Sequence, residues 1–508
     1  MKNLHSLLLI LCAAALFGGC QQREKVVVHI IGDSTMADYV ENTTHTRGWG
    51  EMLQEFVAPE LTVANYARGG RSSHSFYKEG RWKWVTDSLK AGDYVFIQFA
   101  HNDEKEGGKD GADGRGTAPW TTYKSYLERY VDETRAAGGN PVLITPIIRR
   151  YFTADGTISP KGCHDLSIAP DDSTLNYVRV MKQVARNKQV PLVDMTALTK
   201  TFSEQLGAER TTRCIYVPTD GTHTQATGAA CYAQLAVAAL KEQGILADYM
   251  RPETPLVLNP ASLDFKTIFA GEKSVCCFDL TGLQLTPAEG RLTVTAPEGM
   301  LIADTPDGAP QQELHFDYQE GQLWNRCLYL HFTPLAAGPV ETAVTIRYGN
   351  QTRLLPVAAT VREVVAQLPF LWEGEPSSAR ELTLFGERGY APEKGVWTAE
   401  MDEYAKRYVE LVIPASEQTR LLRQLSFTLE GEVACRVACA YGKDFYPRTD
   451  LGEIQQPQSG RQQITWPMNV TLHAGQRLHI RLFPWSTKAT TRCHFAASDW
   501  RVEGVVLE

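Results

Sequence analysis

Five short apolar runs alternate with helical patterns between residues 26 and 250, and this alternation restricts the fold more than any other feature of the chain. Residues 26–31 are apolar apart from His29, and similar runs occupy 61–66, 94–99, 142–144 and 191–193. A strand covered on both faces needs continuous apolar residues, not in–out alternation. Helical spacing lies between the runs, at 49–56, 123–136, 175–186 and 228–242. The alternation predicts an α/β fold over residues 21–250, with a parallel five-stranded sheet in a three-layer α/β/α arrangement. Chemistry in such folds sits beyond the carboxyl ends of the strands, so the residues just after each run are the ones to inspect.

The pattern changes at Arg251-Pro252-Glu253-Thr254-Pro255, a proline-marked edge. Runs at 256–258, 274–280, 291–296, 327–332, 341–348 and 353–361 read as short strands between Gly, Pro and Asn turns. They predict an antiparallel β-sandwich over 251–363. Its opening, Leu258-Asn259-Pro260-Ala261-Ser262-Leu263-Asp264-Phe265, resembles the first strand of bacterial immunoglobulin-like modules. Further runs at 381–385, 408–413, 425–429, 433–441, 462–465, 477–483 and 500–506 predict a second β-sandwich or jelly roll over 364–508. Trp372, Trp397, Trp466, Trp485 and Trp500 fall in this part, as core or as a sugar-stacking platform.

The amino terminus reads as a leader. Lys2 precedes an apolar run at 7–17 that ends at Gly18-Gly19-Cys20. The run is shorter than the ~20 residues that span a bilayer, and it has the form of a secretory signal. Small residues before a cysteine resemble the bacterial lipoprotein processing site. That resemblance makes residues 1–20 a signal peptide, Cys20 the lipidated residue, and Gln21-Gln22-Arg23-Glu24-Lys25 a tether. The expectation is an exported lipoprotein at the periplasm or cell surface, outer-membrane anchored, touching the membrane through its lipid alone. A net charge of −8 argues against binding nucleic acid. Eleven cysteines less Cys12 and Cys20 leave an odd number, so at least one thiol is unpaired. Cys435 and Cys439, with Cys493-His494, do not complete a zinc set, and no metal is expected.

Four polar blocks follow the apolar runs. Gly32-Asp33-Ser34-Thr35 comes after the first, Ala67-Arg68-Gly69-Gly70-Arg71 after the second, His101-Asn102-Asp103 after the third, and Asp220-Gly221-Thr222-His223 just before the last helix. Each block is also ordinary turn chemistry. Together they supply a complete reaction set. Ser34 becomes a nucleophile near neutral pH if a base removes its proton, and His223 suits that task. Asp220, three residues earlier on the same loop, can orient the imidazole. The N–H of Ser34, the N–H of Gly70 and the side-chain amide of Asn102 can hold a developing oxyanion.

This order resembles the SGNH (or GDSL) hydrolases, whose named residues fall on Ser34, Gly70, Asn102 and His223. Gly32-Asp33-Ser34-Thr35-Met36-Ala37, Gly48-Trp49-Gly50-Glu51, Gly70-Arg71-Ser72, Glu79-Gly80-Arg81, His101-Asn102-Asp103 and Thr222-His223-Thr224 further resemble the rhamnogalacturonan acetylesterase family of carbohydrate esterases. The resemblance covers roughly residues 25–245. It implies a serine esterase that needs no cofactor and removes acetyl groups from a pectic, plant cell-wall polysaccharide. Acetylated xylan, a pectin methyl ester, or glycan binding without catalysis are the alternatives. Arg71, His74 and Arg81 could meet a uronate carboxylate or form an internally paired surface, and Trp49 could line the cleft or pack in the core under the first helix.

Overall fold

A computed structural model describes residues 25–39, 45–112, 114–169, 173–305, 308–363, 367–376, 381–384, 408–431, 434–441, 448–454, 460–485 and 493–507. The leader, Cys20 and Trp397 lie outside the described residues. In the first part, β1 (Val27–Gly32), β2 (Thr62–Asn65), β3 (Tyr94–Gln98), β4 (Asn140–Ile144) and β5 (Leu192–Val193) form one sheet in the order β2-β1-β3-β4-β5. All its neighbours pair in parallel.

Side chains along these strands alternate between two cores, which is what makes the domain three-layered. Val28, Ile30, Phe96, Val142 and Ile144 join one core with Trp49, Phe56 and the helix Ala226–Glu242. Ile31, Val95, Ile97 and Leu143 join the other. The helices on that second face are α1 (Ser73–Lys78), α2 (Arg81–Ser88), α3 (Lys124–Ala136) and α4 (Tyr177–Lys188). The first face carries α5 (Met195–Leu206) and α6 (Ala226–Glu242). Small residues let α6 approach closely: a Cβ on Gly228 would meet the Ile215 carbonyl oxygen at 2.1 Å.

One expected helix is absent. Over 49–56 only a 3₁₀ turn forms, at Leu53–Phe56. Gly48 and Gly50 press against the backbone of Met36 and Ala37, and the Trp49 N–H donates to the Thr35 carbonyl at 2.9 Å. That crossing holds the segment against Thr35–Ala37, and helical turns are confined to Leu53–Phe56. The short α1 and α2 and the threonine-rich α5 escaped the sequence pattern. In α5 the threonine hydroxyls find acceptors, Thr199 Oγ1 on Met195 O and Thr196 Oγ1 on Pro146 O.

Beyond residue 255 the chain is all β. Strands β6 (Leu256–Asn259), β8 (Ser274–Gly282), β10 (Met300–Ala303) and β12 (Leu323–Phe332) form one sheet, ordered β10-β12-β8-β6. Facing it are β7 (Leu263–Phe269), β9 (Gly290–Thr295), β11 (Glu313–Tyr318), β13 (Gly338–Tyr348) and β14 (Gln351–Arg362), ordered β11-β9-β13-β14-β7. One core lies between the two sheets. The sandwich is antiparallel except for β7 and β14, which run parallel. The expected first strand at 258–265 is instead the end of β6 and the start of β7, in opposite sheets. Pro260 has no N–H to continue the ladder, and the chain crosses over there.

The third part repeats the plan. β15 (Gln367–Gly374), β18 (Thr419–Gly431), β21 (Arg461–Leu472) and β23 (Cys493–Leu507), with β16 (Glu381–Leu384) on β23, make one sheet. β17 (Val409–Ile413), β19 (Ala434–Ala440), β20 (Arg448–Ile454) and β22 (Leu478–Trp485) make the other. Trp500 is buried against Phe427, rings 4.7 Å apart, as core; Trp372 and Trp466 are half-buried against the same core. Among the described residues, Cys163, Cys214, Cys231, Cys276, Cys277 and Cys327 are free thiols.

Candidate active site

The carboxyl ends of β1 and β3 and the loops after β2 and before α6 meet at one rim of the parallel sheet. Ser34 sits on the turn after β1, with its Oγ 2.9 Å from Nε2 of His223. The opposite ring nitrogen, Nδ1, lies 2.5 Å from Asp220 Oδ2. Asp220 Oδ1 also accepts the N–H groups of Thr222 and His223, at 2.6 and 3.2 Å. Burial alone would raise this carboxyl, but the His223 ring and these N–H bonds hold it at about 2. An ionised Asp220 keeps the proton on Nδ1, leaving Nε2 to accept from the Ser34 hydroxyl.

The Gly70 turn has a specific geometry. Gly70 takes φ +80°, and the Arg71 N–H closes the turn on the Arg68 carbonyl at 3.3 Å. That is the third position of a type II turn, which requires a positive φ and so favours glycine. Arg71 Nη1 holds the Gly69 carbonyl at 2.8 Å, so the Gly70 N–H of the same peptide points away from Arg71. Asn102 is buried, and its Nδ2 donates to the Arg71 carbonyl at 3.1 Å. One amide hydrogen is thereby fixed, and the second stays available to a ligand.

Beneath the nucleophile turn lies a fully buried pair, Asp33 Oδ2 and His101 Nδ1, 3.2 Å apart. Burial would raise the Asp33 carboxyl, but His101 and both donors of Thr35 keep it well below the usual carboxylate range. Burial pushes the His101 ring the other way, to about 4, so the ring is neutral and its Nδ1–H is the donor.

Trp49 does not line a cleft. It is fully buried, and its Nε1 donates to Gln98 Oε1 at 3.0 Å. Gln98 Nε2 in turn donates to Thr35 Oγ1 at 2.8 Å. The indole therefore acts behind the Ser34 turn through this chain of bonds. Arg71 and Arg81 both pair with one carboxylate, Glu79, at 3.0 and 2.7 Å. His74 packs against Tyr126, ring centres 4.8 Å apart and planes tilted by 40°.

Several site residues had no signal in the sequence. Arg149 donates from Nε to Glu104 at 2.7 Å, from Nη2 to the His101 carbonyl at 3.0 Å, and from Nη1 to Thr222 Oγ1. It thus ties the third polar block to the fourth. Arg150 holds the Asp220 and Pro218 carbonyls. Arg115 Nε donates to the Gly70 carbonyl at 3.0 Å. Beside it, burial and then the guanidinium groups of Arg115 and Arg149 push the Lys105 ammonium below its ordinary range. These cations cluster only after folding, since their sequence neighbours share no pattern.

A serine hydroxyl, an imidazole and a carboxylate in one hydrogen-bonded line, at the strand ends of a five-stranded parallel sheet, define a serine-hydrolase type of site. Comparison with known proteins agrees. The model of the GDSL-like lipase/acylhydrolase family matches residues 30–231. A rhamnogalacturonan acetylesterase of Bacillus subtilis is 32% identical over 241 residues, 45% of this chain and 95% of that protein. A rhamnogalacturonan acetylesterase of Emericella nidulans is 31% identical over 233 residues, 43% of this chain and 86% of that one. Among solved structures, a mutant acetyl-xylooligosaccharide esterase from Geobacillus is 19% identical with a TM-score of 0.30, covering 42% of this chain and 94% of that one. The chain belongs to the GDSL-like lipase/acylhydrolase family.

Proposed function

We propose that this protein is a carbohydrate acetylesterase that releases acetate from pectic polysaccharide of the rhamnogalacturonan type. The observation that carries the reaction is the line Ser34 Oγ, His223 Nε2, His223 Nδ1, Asp220 Oδ2, with its two hydrogen-bond distances. The names of the two rhamnogalacturonan acetylesterases support the substrate class.

His223 takes the proton of Ser34 as the oxygen attacks the acetyl carbonyl. The oxyanion accepts from the N–H groups of Ser34 and Gly70 and from Asn102 Nδ2. His223 then protonates the departing sugar oxygen, leaving acetyl-Ser34. Water, deprotonated by His223, attacks that ester; acetate leaves and Ser34 regains its proton. Acetate release from acetylated rhamnogalacturonan, with the saponified polymer as control, tests this reading. Release from acetylated xylan alone would overturn the substrate assignment.

Two predictions arise from the site. Asn102→Ala should lower kcat by ~10²–10³ with little change in KM, the usual loss for one oxyanion donor; initial-rate kinetics check it. The second concerns charge. Arg71 and Arg81 share the one carboxylate of Glu79. We assign the uronate carboxylate to Lys105, beside Arg115 at the Gly70 rim. Lys105→Ala should raise KM about tenfold for a uronate-containing substrate and leave KM for a small neutral acetyl ester unchanged. The leader from Lys2 to Cys20 supports a lipid-anchored, exported enzyme that meets its polymer outside the cytoplasm.

A further inference from the structure

Two hydrogen-bonded paths run from the first β-sandwich into the turns that carry Ser34 and His223. One starts at Asp279 on β8, whose Oδ2 lies 2.5 Å from Nε of Arg47. Both side chains are buried. The Arg47 backbone brackets Thr224, the residue after His223. Its N–H donates to the Thr224 carbonyl at 2.8 Å, and Thr224 Oγ1 donates to the Arg47 carbonyl at 2.7 Å. The other path starts at Asn259, the last residue of β6. Asn259 Nδ2 donates to Glu51 Oε1 at 2.7 Å, and Glu51 Oε2 accepts the Tyr39 N–H at 2.9 Å. The Tyr39 hydroxyl then donates to the Ser34 carbonyl at 3.1 Å.

A third contact fixes Thr227, in the first turn of α6 and four residues beyond His223. Asn325 on β12 takes φ +39°. Its Oδ1 accepts the Thr227 N–H at 2.9 Å, and its own N–H donates to Thr227 Oγ1 at 2.8 Å. Its Nδ2 donates to the Cys214 carbonyl at 2.8 Å, at the end of the turn that precedes the His223 loop. The sandwich therefore grips the segments on both sides of the histidine as well as the back of the serine.

We propose that Asp279, Asn259 and Asn325 are positioning residues for the esterase reaction, setting the separation of Ser34 Oγ from His223 Nε2. This rests on the reading of Ser34 and His223 as nucleophile and base. Proton transfer needs those two atoms within ~2.6–3.2 Å. They belong to two loops 189 residues apart in sequence, and loops are the more mobile parts of a fold. Bonds from one rigid sandwich to both loops tie them to a common frame. None of the three residues touches the reacting atoms.

The experiment uses the full chain and counts working sites. Asp279→Asn, Asn259→Ala, Asn325→Ala and Arg47→Lys are titrated with a serine-directed phosphonate, and kcat is expressed per labelled serine. The three sandwich variants should lose ~10–100-fold in kcat per labelled site, the scale of a misplacement of about 1 Å. Their phosphonylation should slow in parallel, with KM for a small acetyl ester within about twofold of the parent. Arg47→Lys keeps a cation opposite Asp279 and the same backbone bonds, and should retain most of the rate. Fewer labelled sites with unchanged kcat per site would reduce the sandwich to a stabiliser and overturn the proposal. Should Asp279→Asn not fold, Asn259→Ala, which leaves the Arg47–Asp279 pair intact, decides alone. Labelling of Ser34→Ala would remove the nucleophile assignment itself, a separate failure that this control isolates.

Discussion

Ser34→Ala leaves a folded protein whose kcat for acetate release is lower by ~10⁴-fold or more. The reason is the absence of a substitute nucleophile in the line from Ser34 to Asp220. His223 would still face the place the Ser34 hydroxyl left, but only an unpositioned water could attack the acetyl carbon from there. The oxyanion donors of Gly70 and Asn102 remain, so a small residual rate over uncatalysed hydrolysis is expected. Folding should be little changed. Among the described residues the serine hydroxyl bonds only His223, while the turn is held by Asp33, Thr35, Gln98 and Trp49. Acetate release at substrate saturation, alongside the thermal midpoint of parent and variant, checks both halves. Near-parental hydrolysis would refute the assignment.

The largest effect on stability is expected at Arg149. Its guanidinium lies 2.7 Å from Glu104 Oε1, with side chains about one-tenth exposed. Glu104 Oε2 faces Nδ1 of the buried His164 at 2.8 Å, and His164 Nε2 faces the Ile147 carbonyl at 2.8 Å. Removing one partner of a buried ion pair strands the other, at ~3–5 kcal/mol. Arg149→Met should therefore lower the thermal midpoint by about 10 °C, read by calorimetry. The pH dependence has a definite sign. Burial would raise the Glu104 carboxyl, but His164 and Arg149 hold it at about 2, below its ordinary 4.5. A depressed carboxyl contributes its full stabilisation above the ordinary value and loses it as pH falls towards the folded one. Between pH 4.5 and 2 the parent should lose stability from this group, and the variant should lose less, having less to lose. Equal acid sensitivity in the two proteins would count against this network.

The candidate site residues were legible because Ser34, Gly70 and Asn102 come just after apolar strands and the Asp220–His223 block comes just before the last helix. Ser34, Asn102 and His223 could be placed from the sequence by that logic, and Gly70 by the turn it must make. The supports were not legible. The sequence leaves Trp49 open between cleft and core, and the structure settles it because Gly48 and Gly50 let its segment lie against Met36 and Ala37. Glu104, Arg149 and His164 meet across separations of 45 and 60 residues, and Arg47 and Asp279 across 232. No local periodicity encodes a contact at that range. The same limit explains the strands. Alternation located most of β6 to β23, but gave no hint that β7 pairs in parallel with β14 or that Pro260 separates two sheets.

That parallel pair imposes an order on the making of the protein. Leu263 finds its register partner only in Val357. At ~5–20 residues per second, several seconds of synthesis separate the two. By then the whole parallel sheet, with Ser34 and His223 at its rim, has already left the ribosome. The nascent enzyme thus carries its reactive turns before the strands that will brace them exist, and it acquires a settled Ser34–His223 geometry late. Chemistry would then mature only once β14 has been made.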